Sequence, residues 1–357
     1  MSKLNSYFFK SKISVTFIML IFSFFIVSEF FSTVASAETI KKRQISSSQA
    51  KQYRNQKTVS VISGGVNGTY IRFATDMSNV LDEKKKGGLR VLPIVGRGGG
   101  QNVIDVLFLK GVHMGIIQQE VTEFLKEKDP VLYKNVGKKV HYITKLYNAE
   151  FTMVARKDIK SLEDLKGKTV SFWKPWSATD VGGQTILKKL GLDKDIKVVH
   201  MDTSLGIQKV KDGEIAAVML VAGAPIGGFK DLKSTEGLHF VPISKKSLPN
   251  HDFSKVLDVY LPSHLRHEDY PFMIAEGETV STIVSSAVLV VYNFSESSSE
   301  YKKVEVFVNS LFDNWAKFLK SPRHPKWKNI NFAAKIPGWI RFKPAQKWLA
   351  KNKTNRP

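Results

Sequence analysis

The chain contains no cysteine. That single absence excludes disulfides, thiolate zinc sites, iron–sulfur clusters and a cysteine nucleophile. Acidic residues are scarce, 32 Asp+Glu against 54 Lys+Arg, which leaves a formal charge of +22. Past residue 37 no apolar run approaches the ~20 residues that a membrane-spanning helix needs, so the rest of the chain is expected to be soluble. No G-x-S-x-G elbow, H-E-x-x-H pair or G-x-x-x-x-G-K-[ST] loop occurs. The chain is therefore expected not to be an enzyme and to carry no cofactor and no metal.

What is present begins with an export signal. Lys3, Lys10 and Lys12 precede the uncharged, mostly apolar run Ile13–Val27, and Ala35-Ser36-Ala37 is a small-residue cleavage site. Residues 1–37 read as a signal peptide, so the mature chain is expected to be periplasmic. Cleavage removes three Lys and one Glu, leaving 51 basic and 31 acidic residues, or +20. Export makes nucleic acid an unexpected partner. The lysine runs (Lys84-Lys85-Lys86, Lys138-Lys139, Lys245-Lys246, Lys302-Lys303) are scattered and not interleaved with aromatics, as solvated faces are. The densest His/acid patch, His264–Asp269, reads as a solvated loop.

Residues 38–57 are polar and charged and read as a flexible leader. From Thr58 short β-branched runs alternate with helical periodicity. Val59–Ile62, Leu89–Val95, Met114–Ile117, His141–Leu146 and Phe151–Ala155 read as strands. Helices are expected around Phe73–Leu81 and Val103–Phe108. The rhythm restarts with strands Thr169–Trp173, Ile196–Met201 and Ala216–Val221, and helices Thr179–Leu190 and Leu205–Val210. Ala287–Tyr292 is a strand, and Val304–Leu319 a long amphipathic helix facing a core. Two α/β units follow, and a cleft between them is the default ligand site.

Glycine-rich turns lie where strands hand over to helices. Ser63-Gly64-Gly65-Val66-Asn67-Gly68-Thr69-Tyr70 lets the backbone approach a ligand closely, in front of a helix N-terminus suited to a carboxylate or phosphate. Gly96-Arg97-Gly98-Gly99-Gly100 sets an uncrowded guanidinium at the next such junction. Gln118 and Gln119 end a strand on the same rim and offer donors and acceptors. In the second unit Trp173-Lys174-Pro175-Trp176-Ser177-Ala178-Thr179-Asp180 leads into a helix that Ser177 or Thr179 can cap. Ala222-Gly223-Ala224-Pro225 ends another strand, with Pro225 suited to a first helical position.

The order SGGVNGTY, MGIIQQ, ARKDIKSLEDLKGKTVSF, P-x-S-x-T and VAGAP resembles the TAXI family of TRAP-transporter solute receptors, over about residues 58–245 and more weakly over 280–345. The resemblance implies a type II periplasmic-binding-protein fold, with two doubly wound α/β lobes around a central cleft. Lobe 1 would comprise residues 58–150 and 284–350, lobe 2 residues 151–283, with 351–357 a tail. The chain would cross between lobes near Phe151–Arg156 and Thr282–Tyr292. It also implies a monomeric receptor that closes on a small organic anion, an amino acid or carboxylate, and delivers it to TRAP permease membrane subunits. A periplasmic sensor and a basic envelope-associated protein are the alternatives.

Carried over by position, the contacts would be Gly65, Gly68, Thr69, Tyr70 and Gln118 in one lobe, and Ser177, Thr179 and Gly223 in the other. The chain departs from the family pattern at Arg97, at Asp180 and around Trp173, Lys174 and Trp176, which sets a glutamate-type ligand in question. Arg97 is expected to make an anion contact. Trp173 or Trp176 would wall the pocket against an apolar part of the solute.

Overall fold

The computed structural model describes residues 46–83 and 87–352. The signal peptide, the first part of the leader, the Lys84-Lys85-Lys86 run and most of the tail lie outside the described residues. Within the expected leader, Ser47–Asn55 forms a helix, α1. Ser46 starts it, its hydroxyl and carbonyl accepting from the Gln49 and Ala50 N–H groups. Polarity alone did not preclude a capped two-turn helix.

From residue 56 the chain forms one ten-stranded sheet in the order β2-β1-β3-β10-β4-β7-β5-β6, with β8 (Leu238–Phe240) on β4 and β9 (Leu261–Arg266) on β10. The strands of the first half are β1 (Thr58–Ile62), β2 (Arg90–Ile94) and β3 (Met114–Gln118), all mutually parallel. Helices α2 (Thr69–Leu81), α3 (Gly99–Phe108) and α4 (Val121–Lys128) accompany them. The strands of the second half are β5 (Thr169–Ser171), β6 (Lys197–Val199) and β7 (Ala217–Ala222), again parallel, with helices α5 (Ala178–Leu190) and α6 (Thr203–Lys211). Each half thus has the order 2-1-3, completed by a long antiparallel strand: β10 (Thr279–Tyr292) beside β3, and β4 (Val140–Arg156) beside β7. This doubled arrangement is the type II α/β fold expected from the sequence.

The two long strands position everything else. β4 pairs with β10 over residues 140–150 and with β7 over 150–155. His141–Leu146 and Phe151–Ala155 are therefore one strand, not two. The intervening Tyr147–Glu150 are as buried as their flanks, except half-buried Asn148, so no turn interrupts them. β10 pairs with β3 and β4 through its C-terminal part and with β9 (Leu261–Arg266) through its start. His264–Arg266 accordingly belong to a strand rather than a loop, with Leu265 inside the core.

Helix periodicity is legible in the packing. Tyr70, Phe73, Ala74, Met77 and Leu81 bury one face of α2. Tyr301, Val304, Phe307, Val308, Leu311 and Phe312 do the same on α7 (Ser299–Asp313), which Ser298 caps. The expected run to Leu319 breaks at Asn314, and Trp315–Phe318 is a separate turn. The break lets Trp315, Phe318, Trp327 and Phe332 meet in one aromatic cluster, with Phe73 stacked on Trp327 at 4.3 Å. Pro225 follows a cis peptide bond and opens a turn instead of a helix. The last helix, α8, spans Lys343–Lys351.

Candidate functional site

The strand ends of both halves converge at the crossing, where the antiparallel pair β4 and β10 passes from one half to the other. On the first side β1 ends at Ile62 and the chain turns through Gly64 and Gly65; the Gly68 N–H donates to the Gly65 carbonyl at 2.8 Å before α2 begins. A Cβ at Gly65 would lie 2.7 Å from the Trp173 ring, so the indole sits directly on this backbone. Thr69 Oγ1 donates to the Gly223 carbonyl at 3.2 Å, tying the first turn of α2 to the end of β7. A Cβ at Gly223 would collide with Tyr147 and Lys326, both 2.9 Å away. These glycines permit close approach between the halves.

The second side approaches just as closely. Gly99, at φ +54°, lies so near α5 that a Cβ would sit 2.5 Å from the Ser177 carbonyl carbon. The Gln101 N–H donates to the Trp176 carbonyl at 3.3 Å. Trp173 and Trp176 have φ of +58° and +64°. Bulky residues in left-handed backbone are outliers that cost about 1–3 kcal/mol each and persist where surroundings enforce them, often at ligand clamps. Asp180 is one enforcer. Its carboxylate accepts from the Trp176 N–H at 2.8 Å, from Gln184 Nε2 at 2.7 Å and from His200 Nε2 at 2.8 Å.

Behind these contacts lies a set of buried polar groups. Gln118 ends β3 opposite Ala287 of β10 and is fully buried, yet neither its amide oxygen nor its nitrogen has a partner among the described residues. The Tyr70 hydroxyl is likewise buried and unpartnered. Tyr70 packs edge-on to Tyr147, ring centroids 6.3 Å apart. Glu120, only 7% exposed, accepts from Ser285 Oγ at 2.5 Å through Oε2, while Oε1 has no partner. Burial raises the Glu120 carboxyl to about 7, against Ser285, its own backbone and the nearby but unbonded Tyr260 hydroxyl, which lower it. Burial, then Tyr147 and Glu120, push the Tyr70 phenol well above its ordinary value, keeping it neutral. An unpaired buried polar group costs about 1–3 kcal/mol, so such a concentration calls for a ligand or water to complete it.

A second polar feature frames this junction. Glu150, on β4 at the crossing, accepts from the Ala224 N–H at 2.8 Å and from Lys326 Nζ at 2.5 Å. Lys326 also donates to the Asn148 carbonyl at 3.1 Å and lies over the Tyr147 ring. A groove of about 1210 Å³ runs between α4 and α5, walled by Lys255–Val259 and Ile336–Trp339; Glu120 reaches it from the junction.

The expected site residues divide accordingly. Gly65, Gly68, Thr69, Tyr70, Gln118, Trp173 and Gly223 surround the junction. Trp176 packs edge-on to Phe124 between α3 and α5, ring centroids 5.8 Å apart. Ser177 caps α5 by accepting from the Asp180 N–H at 3.1 Å, and Thr179 accepts from the Val221 N–H at 2.9 Å. Both hydroxyls already serve the scaffold. Arg97 is exposed and does not enter the buried cluster, because the turn it occupies directs Gly98 and Gly99 inward. Glu120, Tyr147, Glu150, Tyr260, Ser285 and Lys326 were not expected from the sequence. A signal existed only for Glu120, which follows Gln118-Gln119 on the rim expected to face a ligand. Among the described residues no group of three or more His, Asp and Glu could hold a metal ion. No helix among them is long and apolar enough to cross a membrane.

The doubled 2-1-3 sheet, the shared long strands and the polar junction at their crossing define a two-halved α/β protein of the type II binding-protein fold. The chain belongs to the NMT1-like family, whose model matches residues 61–337. Three solved structures are similar at low identity. The amino acid ABC transporter substrate-binding protein AbpA from Streptococcus pneumoniae, bound to L-arginine, is 12% identical, with 78% of this chain and 98% of that chain covered and a TM-score of 0.41. The periplasmic aliphatic sulphonate binding protein SsuA from Escherichia coli is 13% identical, with 73% and 72% covered and a TM-score of 0.40. A structure described as a periplasmic transporter is 12% identical, with 75% and 85% covered and a TM-score of 0.44.

Proposed function

We propose that the protein is a periplasmic solute receptor. It encloses a small carboxylate-bearing solute, an amino acid or carboxylate, at the crossing of β4 and β10 and delivers it to a TRAP-type membrane permease. The observation that carries this reading is the pair of buried, unpartnered groups, the Gln118 amide and the Tyr70 hydroxyl. A polar solute supplies the missing donors and acceptors, and its burial requires the halves to part and close. Trp173 on Gly65 and the Thr69–Gly223 bond are the contacts that closure makes and opening breaks. The resemblance of the glycine turns to TAXI receptors supports the permease assignment.

Tryptophan fluorescence of the mature chain, titrated with amino acids, dicarboxylates and sulfonates, tests this reading. A saturable change with one class of solute is expected, because Trp173 stands at the junction, against Gly65. A spectrum unmoved by every member contradicts it. Uptake of that solute into cells expressing the receptor with its candidate permease, lost when the receptor alone is deleted, tests delivery.

A further inference from the structure

We infer that the enclosed solute carries a protonated amine, held at Glu120, and that the site rejects solutes whose charges are all negative. This rests on the receptor reading above and narrows its solute class.

The electrostatics of the junction point this way. Glu120 keeps one oxygen for Ser285, and its other oxygen has no partner. None of the ion pairs found among the described residues includes it. Lys326 is already engaged by Glu150 and the Asn148 carbonyl. Arg97 is exposed. Glu120 is therefore a buried carboxyl that no ion pair among the described residues neutralises. A solute bearing only carboxylates would bring like charge to a buried carboxyl, which two such groups cannot share while both are ionised. An ammonium group reverses the sign of that interaction.

The hydrogen-bonding inventory agrees. An ammonium offers three donors and no acceptor. Gln118 lies two residues before Glu120, and Ser285 lies two residues from Ala287, the β10 partner of Gln118, so Gln118 and the Glu120–Ser285 pair lie at the same end of β3. Glu120 Oε1, Gln118 Oε1 and the Tyr70 hydroxyl oxygen are buried acceptors left open there. Gln118 Nε2 remains as a donor for a carboxylate at the other end of the same solute. A zwitterion or an amine fits this inventory.

Isothermal titration calorimetry of the full mature chain tests the inference, using the common L-amino acids, putrescine, succinate and glutarate in two buffers of different ionisation enthalpy. An amine-bearing probe of neutral or positive net charge is expected to bind without proton uptake. Glu120→Gln is expected to weaken that binding by about tenfold or more. The same variant should melt, free of solute, no lower than wild type, which shows that it folds. Binding of succinate or glutarate with uptake of about one proton per site would overturn the inference and leave the receptor reading standing. So would an amine probe that binds Glu120→Gln as tightly as wild type. Binding by none of the probes would contradict both.

Discussion

Thr69 donates to the carbonyl of Gly223, 154 residues further along the chain, and so joins the first helical turn of one half to a strand end of the other. Gly65 under the Trp173 ring and Gly99 against Ser177 repeat the theme. The halves meet backbone to side chain, at distances that only glycine allows.

Gly99→Ala tests that closeness. A left-handed alanine costs about 1–2 kcal/mol, and its Cβ would fall 2.5 Å from Ser177 backbone. We expect a loss of about 2 kcal/mol or more in urea unfolding, together with weaker solute binding. Unchanged stability would mean that α3 and α5 can separate freely.

The pair Lys326–Glu150 is largely withdrawn from water, each side chain 11% exposed. Lys326→Met removes the counter-ion and leaves Glu150 charged among Tyr147, Ala224 and the crossing strand. A destabilisation of about 3–5 kcal/mol is expected. Adding Glu150→Gln should restore part of it, since the uncompensated charge is then gone. Equal loss in the single and double variants would place the effect in packing instead.

Asp180 holds three donors, one of them the N–H of left-handed Trp176. Asp180→Ala orphans the Trp176 N–H, Gln184 and His200 together and should cost about 3 kcal/mol. Near-ultraviolet circular dichroism should report the altered tryptophan environment in the same variant.

Glu120 fixes a pH dependence. Its carboxyl rises from an ordinary 4.5 to about 7 in the folded chain, chiefly through burial. A group with a raised folded value binds its proton more tightly when folded. Its contribution is therefore complete below about pH 4.5 and is lost as pH rises through about 7, amounting to about 3 kcal/mol. Unfolding in urea at about pH 5 and about pH 8 should show this loss in wild type without solute, and Glu120→Gln should flatten it. Parallel pH profiles would contradict the assignment.

Much of the fold was legible because burial imposes short periods. Val59–Ile62, Met114–Ile117 and Ala216–Val221 are β-branched or wholly apolar runs, and each forms a strand within a residue of its expected bounds. The glycine turns were legible because tight approach has few alternatives. The unity of β4 was not legible. Tyr147-Asn148-Ala149-Glu150 looks like a polar interruption, and only pairing with β10 on one side and β7 beyond makes it continuous. Lys326 and Ser285 were invisible for a related reason: nothing local distinguishes them, and their roles come from partners 176 and 165 residues away. The exposure of Arg97 was not legible, because flanking glycines free a side chain without saying which way it goes.

The central claim, that a solute completes the buried Gln118 amide, is tested most directly by melting temperature. A solute that raises the melting point of the wild-type chain in a saturable way should follow mass action. Gln118→Leu should remain folded and lose most of that rise. An undiminished rise in Gln118→Leu would contradict the account.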